Sequence, residues 1–190
     1  GSEMCIRDSK KHAELLGNNA LNAKFGSAVA SMDSAETAWV SIRIAYREEL
    51  LRLAAFDLTS NSIEVFPRVS GYLADLAGAA IEAGLSVARW ELTNLTDHGV
   101  FTAQEVADTR LSVIAMGKCG ARELNYISDV DVIYVAESAG ETSTERALEV
   151  ATRLATRMMR AMDANATEPA LWQVDPNLRP EGKSLSLIHI

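Results

Sequence analysis

Two aspartates separated by one residue, Asp129 and Asp131, are the residues of this sequence whose types and spacing best suit chemistry. They stand at the head of an apolar run, Val130 to Ala136, that predicts a β-strand. Because side chains alternate along a strand, both carboxylates would lie on one face of it. Two carboxylates on one face suit a divalent metal ion that holds a phosphate chain.

The aspartate pair alone is weak evidence, because charged pairs also occur on strands at sheet edges. Gly117, Lys118 and Gly120 precede it in a predicted loop, whose backbone N–H groups could cradle a phosphate. Ser128 offers a hydroxyl to a phosphate oxygen, and Asp175 ends a further predicted strand. Three carboxylates on adjacent strands form the ligand set that a two-metal phosphoryl or nucleotidyl transfer site requires.

Three basic residues, Lys118, Arg179 and Lys183, are candidates for neutralising charge on phosphate oxygens. Arg179 is the most suggestive of them, because Pro180 fixes the chain beside its planar donor group. Lys118 has a second interpretation as a solvent-facing loop residue. The loop matches neither G-x-x-x-x-G-K-[ST] nor G-x-G-x-x-G, so we exclude a Walker A loop and a dinucleotide fingerprint.

Two long helices are predicted ahead of these strands from the spacing of apolar residues. The first begins near Ser34, with Asp33 or Ser34 as its cap, and the second runs from about Val69 to Leu95, after Pro67. The expected buried face of the first helix comprises Val40, Ile44, Leu51, Ala54, Ala55 and Leu58. The expected buried face of the second comprises Leu73, Leu76, Ala80, Ile81, Leu85, Ala88 and Leu92.

Gly78 and Gly84 of the second helix are expected to allow close packing against a neighbouring helix. Arg122 and Glu123 are interpreted as a surface ion pair. Methionines 158, 159 and 162 are expected to fill the core, because they lie on the apolar stripe of a helix. The remaining predicted elements are strands at 111–116, 130–136 and 170–174, a helical turn at 121–124 and a helix at 145–163.

Composition limits the classes of function. The 190 residues carry a formal net charge of −8, which argues against non-specific nucleic-acid binding but permits a metal-bridged nucleotide. No apolar run approaches the ~18–20 residues of a membrane span. Cys5 and Cys119 form no C-x-x-C pattern, so we expect free thiols and a cytoplasmic protein.

Two separated motifs resemble the nucleotidyltransferase signatures of the glutamine synthetase adenylyltransferase family, whose members are also called adenylyl-transferring and adenylyl-removing enzymes. The first is GKCGARELNYISDVDVIYV, which begins at Gly117, and the second is VDPNLRPEG, from Val174 to Gly182. The resemblance covers about residues 40–183 and is strongest to actinobacterial members.

The resemblance implies an α+β fold, with a polymerase-β-like nucleotidyltransferase core of a short mixed sheet and helices, preceded by two long helices. The Gly, Asn and Ser residues near the start of the chain indicate a loop, so we expect a weakly structured segment (1–35), followed by a helical segment (36–100), a truncated core (101–183) and a non-family tail (184–190). The resemblance also implies Mg²⁺, as two ions, held by Asp129, Asp131 and Asp175, and ATP or ADP with phosphate as substrates.

The sequence ELNY, from Glu123 to Tyr126, is more similar to the sequence of the N-terminal, adenylyl-removing domain of the family. The resemblance therefore favours removal of AMP from a tyrosine of glutamine synthetase by phosphorolysis, giving ADP and regulating nitrogen assimilation. Two alternatives stay open: forward adenylyl transfer from ATP, and a catalytically silent nucleotide-binding regulatory module. Glutamine synthetase is the expected protein substrate, the PII signalling protein is a second possible partner, and neither nucleic acid nor membrane is expected as a partner.

Overall fold

The computed structural model describes residues 14–94, 100–176 and 187–189 of the chain. In these ranges, three long or medium-length helices and one short helix precede a small mixed β-sheet, so the predicted α+β class is confirmed. The helices are α1 (Asn18–Val29), α2 (Ala35–Leu58), α3 (Ser62–Asn94), α4 (Ala103–Asp108), α5 (Gly117–Gly120) and α6 (Thr144–Asp163). The strands are β1 (Thr109–Ala115), β2 (Val130–Ser138), β3 (Val174–Asp175) and β4 (Leu187–His189).

Helix α1 contradicts the expectation of weak structure, which is wrong for residues 18–29. The Gly, Asn and Ser residues of this stretch indicated a loop, but Leu21, Phe25 and Val29 recur every fourth residue and are buried. That spacing places all three on one helix face, and burial of this face offsets the poor helix propensity of the polar residues. The division of the chain into domains stays a prediction.

Helix α2 begins as predicted, because the Ser34 hydroxyl accepts a hydrogen bond from Thr37 N at 3.2 Å. Its predicted buried face is wrong. Ile44, Leu51 and Leu58 are exposed, and the buried face comprises Ala38, Trp39, Ile42, Arg43, Ala45, Tyr46, Glu49 and Leu53. The prediction assigned every charged residue to solvent. Two charged residues of this face are instead buried with partners, so a different face of the helix packs against the core.

Helix α3 begins at Ser62, seven residues before its predicted start, and Pro67 lies inside it. The proline removes only its own N–H from the second turn, and the helix continues through it. All seven residues of its predicted apolar stripe are buried. Gly84 packs against Met158, Ala161 and Met162 of α6 as expected, but Gly78 has open space beside it, so its predicted packing role is wrong.

Strand β2 lies at the centre of the sheet. It pairs antiparallel with β1, from Thr109↔Ser138 to Ala115↔Val132, and parallel with β3 and β4. The even-numbered residues of β2 from Val130 to Ala136 are buried, whereas the odd-numbered ones are partly exposed. Three backbone positions of the predicted non-family tail, 187–189, form β4 beside β2.

The third predicted strand is wrong in extent, because only Val174 and Asp175 are in β3. The preceding backbone groups are bonded elsewhere. Leu171 N donates to the Met162 carbonyl at 2.9 Å, and the carbonyls of Pro169 and Ala170 accept from Arg47. These groups are therefore engaged with α2 and α6 instead of a sheet ladder.

Helix α6 packs against β1 and β2 on one side and against α3 on the other. Met158 and Met162 are fully buried and Met159 is partly buried, so the predicted core role of these methionines is confirmed. Within the described ranges, none of the helices combines the length and the apolar character needed to cross a membrane.

Candidate metal centre

Three aspartates far apart in the sequence meet at one end of the sheet. Asp129, Asp131 and Asp175 each offer a carboxylate oxygen, and these oxygens lie within 4.8 Å of one another. The parallel register of β2 and β3 pairs Asp131 with Asp175, which puts the two side chains next to each other. Val130 N donates to the Gln173 carbonyl at 3.1 Å, so the β2–β3 contact begins at the site itself.

The ligand set fits a hard divalent cation, which prefers carboxylate oxygens. Asp129 is exposed, while Asp131 and Asp175 are partly exposed, so an ion could reach all three from solvent. The cluster could therefore hold a divalent metal ion, and the three residues are brought together as the sequence predicted.

Gly117 leaves the space that the Asp131 carboxylate occupies. Its φ is +51°, in the left-handed region, and a Cβ at this position would clash with Asp131 Oδ2. Met116 N also donates to the Asp131 carbonyl at 2.8 Å. The residues just after β1 thus lie directly against the aspartate cluster.

The predicted glycine loop is a single helical turn, α5, so the predicted turn at 121–124 lies four residues too late. Gly120 N donates to the Met116 carbonyl at 2.8 Å, and Glu123 N donates to the Lys118 carbonyl at 2.8 Å. The Gly120 N–H is therefore used within the turn. A Cβ on Gly120 would clash with the Ala115 carbonyl. The lack of space is therefore enough to explain why this residue is a glycine.

The other predicted phosphate-binding residues are placed as follows. Lys118 is exposed on α5, and Ser128 is partly exposed directly before the aspartate pair. Arg179 and Lys183 lie outside the described residues. Phosphate binding by Gly117, Lys118, Gly120, Ser128 and Arg179 stays a prediction.

Arg122 forms a link that the sequence interpretation missed. Its guanidinium contacts both carboxylate oxygens of Asp75 on α3, at 2.5 and 2.8 Å, so the expected pair with Glu123 is wrong. The hydrogen bond and charge of Asp75 raise the pKa of Arg122. Arg122 has φ of +62°, an uncommon conformation for a residue other than glycine. No local pattern could have indicated a partner 47 residues away.

The segment that leads into β2 is tied to α2. The Tyr126 hydroxyl donates to Asp57 Oδ2 at 3.1 Å. Burial, with the hydrogen bond to Asp57 and its charge, raises the pKa of Tyr126 to about 12. The neighbouring Ile127 is 96% exposed, so an apolar side chain projects into solvent two residues before Asp129.

A cleft of about 620 Å³ lies between α3 and the β1–α5 segment. Its lining includes the acidic residues Asp75 and Glu82 together with Ser112, Cys119 and Arg122. The Cys119 thiol is buried, and burial followed by the charges of Asp131 and Asp75 raises its pKa. A thiol whose pKa is raised stays protonated and weakly nucleophilic.

Three carboxylates at the ends of adjacent strands, beside a glycine-containing turn, define a candidate metal-dependent phosphate-transfer centre. The family model described as glutamate-ammonia ligase adenylyltransferase matches residues 5–189. The chain belongs to this family, whose members are named as adenylyltransferases and therefore as nucleotidyltransferases. The match runs to residue 189, so it gives no support for setting residues 184–190 apart from the family sequence.

Curated relatives carry the name bifunctional glutamine synthetase adenylyltransferase/adenylyl-removing enzyme. The protein of Leifsonia xyli is 47% identical over 156 residues, which cover 80% of this chain and 15% of the relative. The protein of Streptomyces avermitilis is 44% identical over 149 residues, covering 78% and 14%, and that of Mycobacterium avium is 46% identical over 156 residues, covering 80% and 13%. The family resemblance and its actinobacterial character are confirmed, and the chain spans a small part of these relatives' length.

Proposed function

We propose that this chain carries the catalytic carboxylates of a nucleotidyltransferase that removes AMP from an adenylylated tyrosine of glutamine synthetase. In the proposed reaction, phosphate attacks the phosphorus of the tyrosyl-AMP diester, the tyrosine leaves as its phenol, and ADP forms. The observation that carries the proposal is the convergence of Asp129, Asp131 and Asp175 within 4.8 Å. Membership of the family supplies the substrate class.

The three aspartates would hold Mg²⁺, as one or two ions. Bound Mg²⁺ would polarise phosphate oxygens and neutralise the charge that develops on them. Asp131 and Asp175 would present their carboxylates to the ion side by side, because they are paired positions on neighbouring parallel strands. Gly117 leaves room for the Asp131 carboxylate, and Lys118 would supply a positive charge from its exposed position on the adjoining turn.

The fold that we propose for this site is a polymerase-β-like nucleotidyltransferase core. The mixed sheet supports it, with one aspartate directly before the central strand, one on that strand and a third on its parallel neighbour. The proposed substrates and the free thiol of Cys119 favour a cytoplasmic location. Control by the PII signalling protein belongs to the same proposal.

The direction of transfer separates the main proposal from its nearest alternative. In the forward reaction, the tyrosine hydroxyl attacks the α-phosphorus of ATP and pyrophosphate leaves. Both reactions need the same carboxylates, so the site alone favours neither. The motif ELNY, from Glu123 to Tyr126, supports removal. A silent nucleotide-binding module is the third candidate.

The test measures products in both directions. The chain is incubated with Mg²⁺, phosphate and adenylylated glutamine synthetase, and ADP is quantified. A parallel reaction with ATP and unmodified glutamine synthetase is assayed for pyrophosphate. ADP release alone supports removal, pyrophosphate release alone supports forward transfer, and Mg²⁺-dependent nucleotide binding without either product supports the silent module.

Two variants of β2 make the test specific to the site. Asp131→Asn removes a carboxylate from the cluster, and we expect at least a hundredfold loss of turnover, because one charged ligand is lost. Glu137→Gln removes a carboxylate from the far end of the same strand, where it pairs with Arg110. Glu137→Gln should keep full turnover, and equal losses in both variants would refute the metal role of Asp131.

A further inference from the structure

Arg43 is a fully buried charged residue on α2. Its guanidinium donates to main-chain carbonyls only a few residues apart at the end of α6 and just beyond it. Nε and Nη2 donate to Ala161 O at 3.2 and 3.1 Å, Nη2 donates to Ala164 O at 2.8 Å, and Nη1 donates to Glu168 O at 2.7 Å.

The C-terminal end of α6 explains why a charge is buried there. The last carbonyls of a helix lack intrahelical partners, and they carry the negative end of the helix dipole. A guanidinium has five donors in a fixed fork and can satisfy several of these oxygens at once. Burial and the neighbouring charge of Arg47 lower the pKa of Arg43, while the charges of Asp163 and Glu168 act in the opposite direction. The carbonyls satisfy the buried donors of the guanidinium.

Arg47 extends the same contact by one turn of α2. Its Nη2 donates to Pro169 O at 2.6 Å and to Ala170 O at 3.2 Å. The Tyr46 ring packs edge-on against Trp172, with ring centroids 6.2 Å apart. One face of α2 therefore holds the chain from residue 161 to residue 172.

This held segment leads directly into β3, which has only two residues in the sheet. Such a short strand has few ladder hydrogen bonds with which to fix its own position. The contact that begins the pairing, from Val130 N to Gln173 O, is one residue beyond Trp172. The segment that α2 holds therefore ends next to the strand that carries Asp175.

We propose that Arg43 and Arg47 are positioning residues for the metal centre, which fix the segment 161–172 and so set the distance of the Asp175 carboxylate from Asp131. The inference rests on the proposed function, because it assumes that Asp175 holds a metal ion. Neither arginine touches the ion or the substrate; each acts through the backbone of the segment.

The test measures Mn²⁺ binding to the chain by calorimetry, together with thermal unfolding by circular dichroism. Arg43→Lys keeps the charge but loses the fork, and we expect about tenfold weaker Mn²⁺ binding, as for a residue that orients a ligand. Arg47→Lys should show a smaller loss in the same direction. Binding is measured well below the unfolding midpoint of each variant, so that only folded protein is compared.

Arg89→Lys is the matched control. Arg89 also donates to two carbonyls, Val106 O at 2.9 Å and Thr109 O at 3.1 Å, but Thr109 lies at the end of β1 remote from the aspartates. We expect Arg89→Lys to lower the unfolding temperature while the Mn²⁺ affinity stays within twofold of the parent chain.

The outcomes separate this inference from the proposed function. If the parent chain binds no Mn²⁺, the proposed metal site fails and this inference falls with it. If the parent chain binds Mn²⁺ and both Arg43→Lys and Arg47→Lys bind it equally well, only the positioning role is overturned. Equal weakening by Arg89→Lys would also overturn it, since the effect would then be general destabilisation. If Arg43→Lys does not fold, the comparison of Mn²⁺ affinity between Arg47→Lys and Arg89→Lys decides whether the positioning role holds.

Discussion

Asp131 and Asp175 occupy paired positions on the parallel strands β2 and β3. Their carboxylate oxygens, with that of Asp129, fall within 4.8 Å. Ionised carboxylates at this separation repel one another unless a cation lies between them. The site should therefore be less stable without a metal ion than with one.

Mg²⁺ should raise the unfolding temperature of the chain, and Asp175→Asn should abolish this rise. A ligand at a hundred times its Kd stabilises the folded state by about 2.7 kcal/mol. Differential scanning calorimetry with Mg²⁺ and with EDTA measures this rise for both chains.

The exposed Glu141 provides the control for that experiment, because it lies in the turn after β2. Glu141→Gln should keep the full Mg²⁺-dependent rise. A rise that persists in Asp175→Asn would mean that the ion binds elsewhere on the chain.

Two glycine-to-alanine substitutions should change the free energy of unfolding in opposite directions. Gly117→Ala places a Cβ against Asp131 Oδ2 at a positive φ, so we expect a loss of about 1–2 kcal/mol in the free energy of unfolding. Gly78→Ala in α3 has open space and a helical backbone, so we expect a gain of about 0.5–1 kcal/mol. Urea denaturation of both variants measures the difference, and a stabilising Gly117→Ala would contradict the close contact with Asp131.

Sequence reasoning found the three aspartates because their positions at strand starts and ends are local properties. Asp129 and Asp131 stand at the head of an apolar run, and Asp175 stands at the end of another. Parallel pairing then brings such residues together. The fold class and the long helix α3 followed in the same way from apolar spacing.

The face of α2 could not be predicted from the same rule. Arg43 and Glu49 are buried because their partners come from distant segments: carbonyls near the end of α6 for Arg43, and Lys24 and Tyr72 for Glu49. Amphipathic patterning assigns charges to solvent, since it contains no information on such partners. The link between Arg122 and Asp75 was missed for the same reason.

Replacements of Arg122 should reverse the usual ranking of glycine and alanine. Both Arg122→Gly and Arg122→Ala lose the ion pair with Asp75, but only glycine adopts a φ of +62° without steric cost. We expect Arg122→Gly to be more stable than Arg122→Ala by about 1 kcal/mol. Chemical denaturation of the two variants measures this, and greater stability of the alanine variant would show that the backbone there relaxes to negative φ.

Glu49 should contribute stability that is lost in acid. Burial alone would raise the pKa of Glu49, but hydrogen bonds from Lys24 and Tyr72 outweigh burial and hold its pKa below the ordinary value. The unfolded chain therefore binds the proton first as the pH falls, so this stability is complete above the unfolded pKa, near 4.5, and disappears as the pH falls through the folded pKa. Glu49→Gln should cost about 2 kcal/mol at pH 7, since it weakens charge-assisted hydrogen bonds.

Glu91 supplies a comparison of opposite sign. Burial raises the pKa of Glu91 despite the charges of Arg157 and Arg160, so its folded form binds a proton more readily than the unfolded chain does. The contribution of Glu91 to the free energy of unfolding therefore falls as the pH rises above about 4.5. Between pH 3 and 7, the difference in unfolding free energy between the parent chain and Glu49→Gln should shrink in acid, whereas the difference for Glu91→Gln should grow. Urea denaturation at each pH measures both differences. Differences that stay constant with pH would show that neither carboxyl has a shifted pKa in the folded chain.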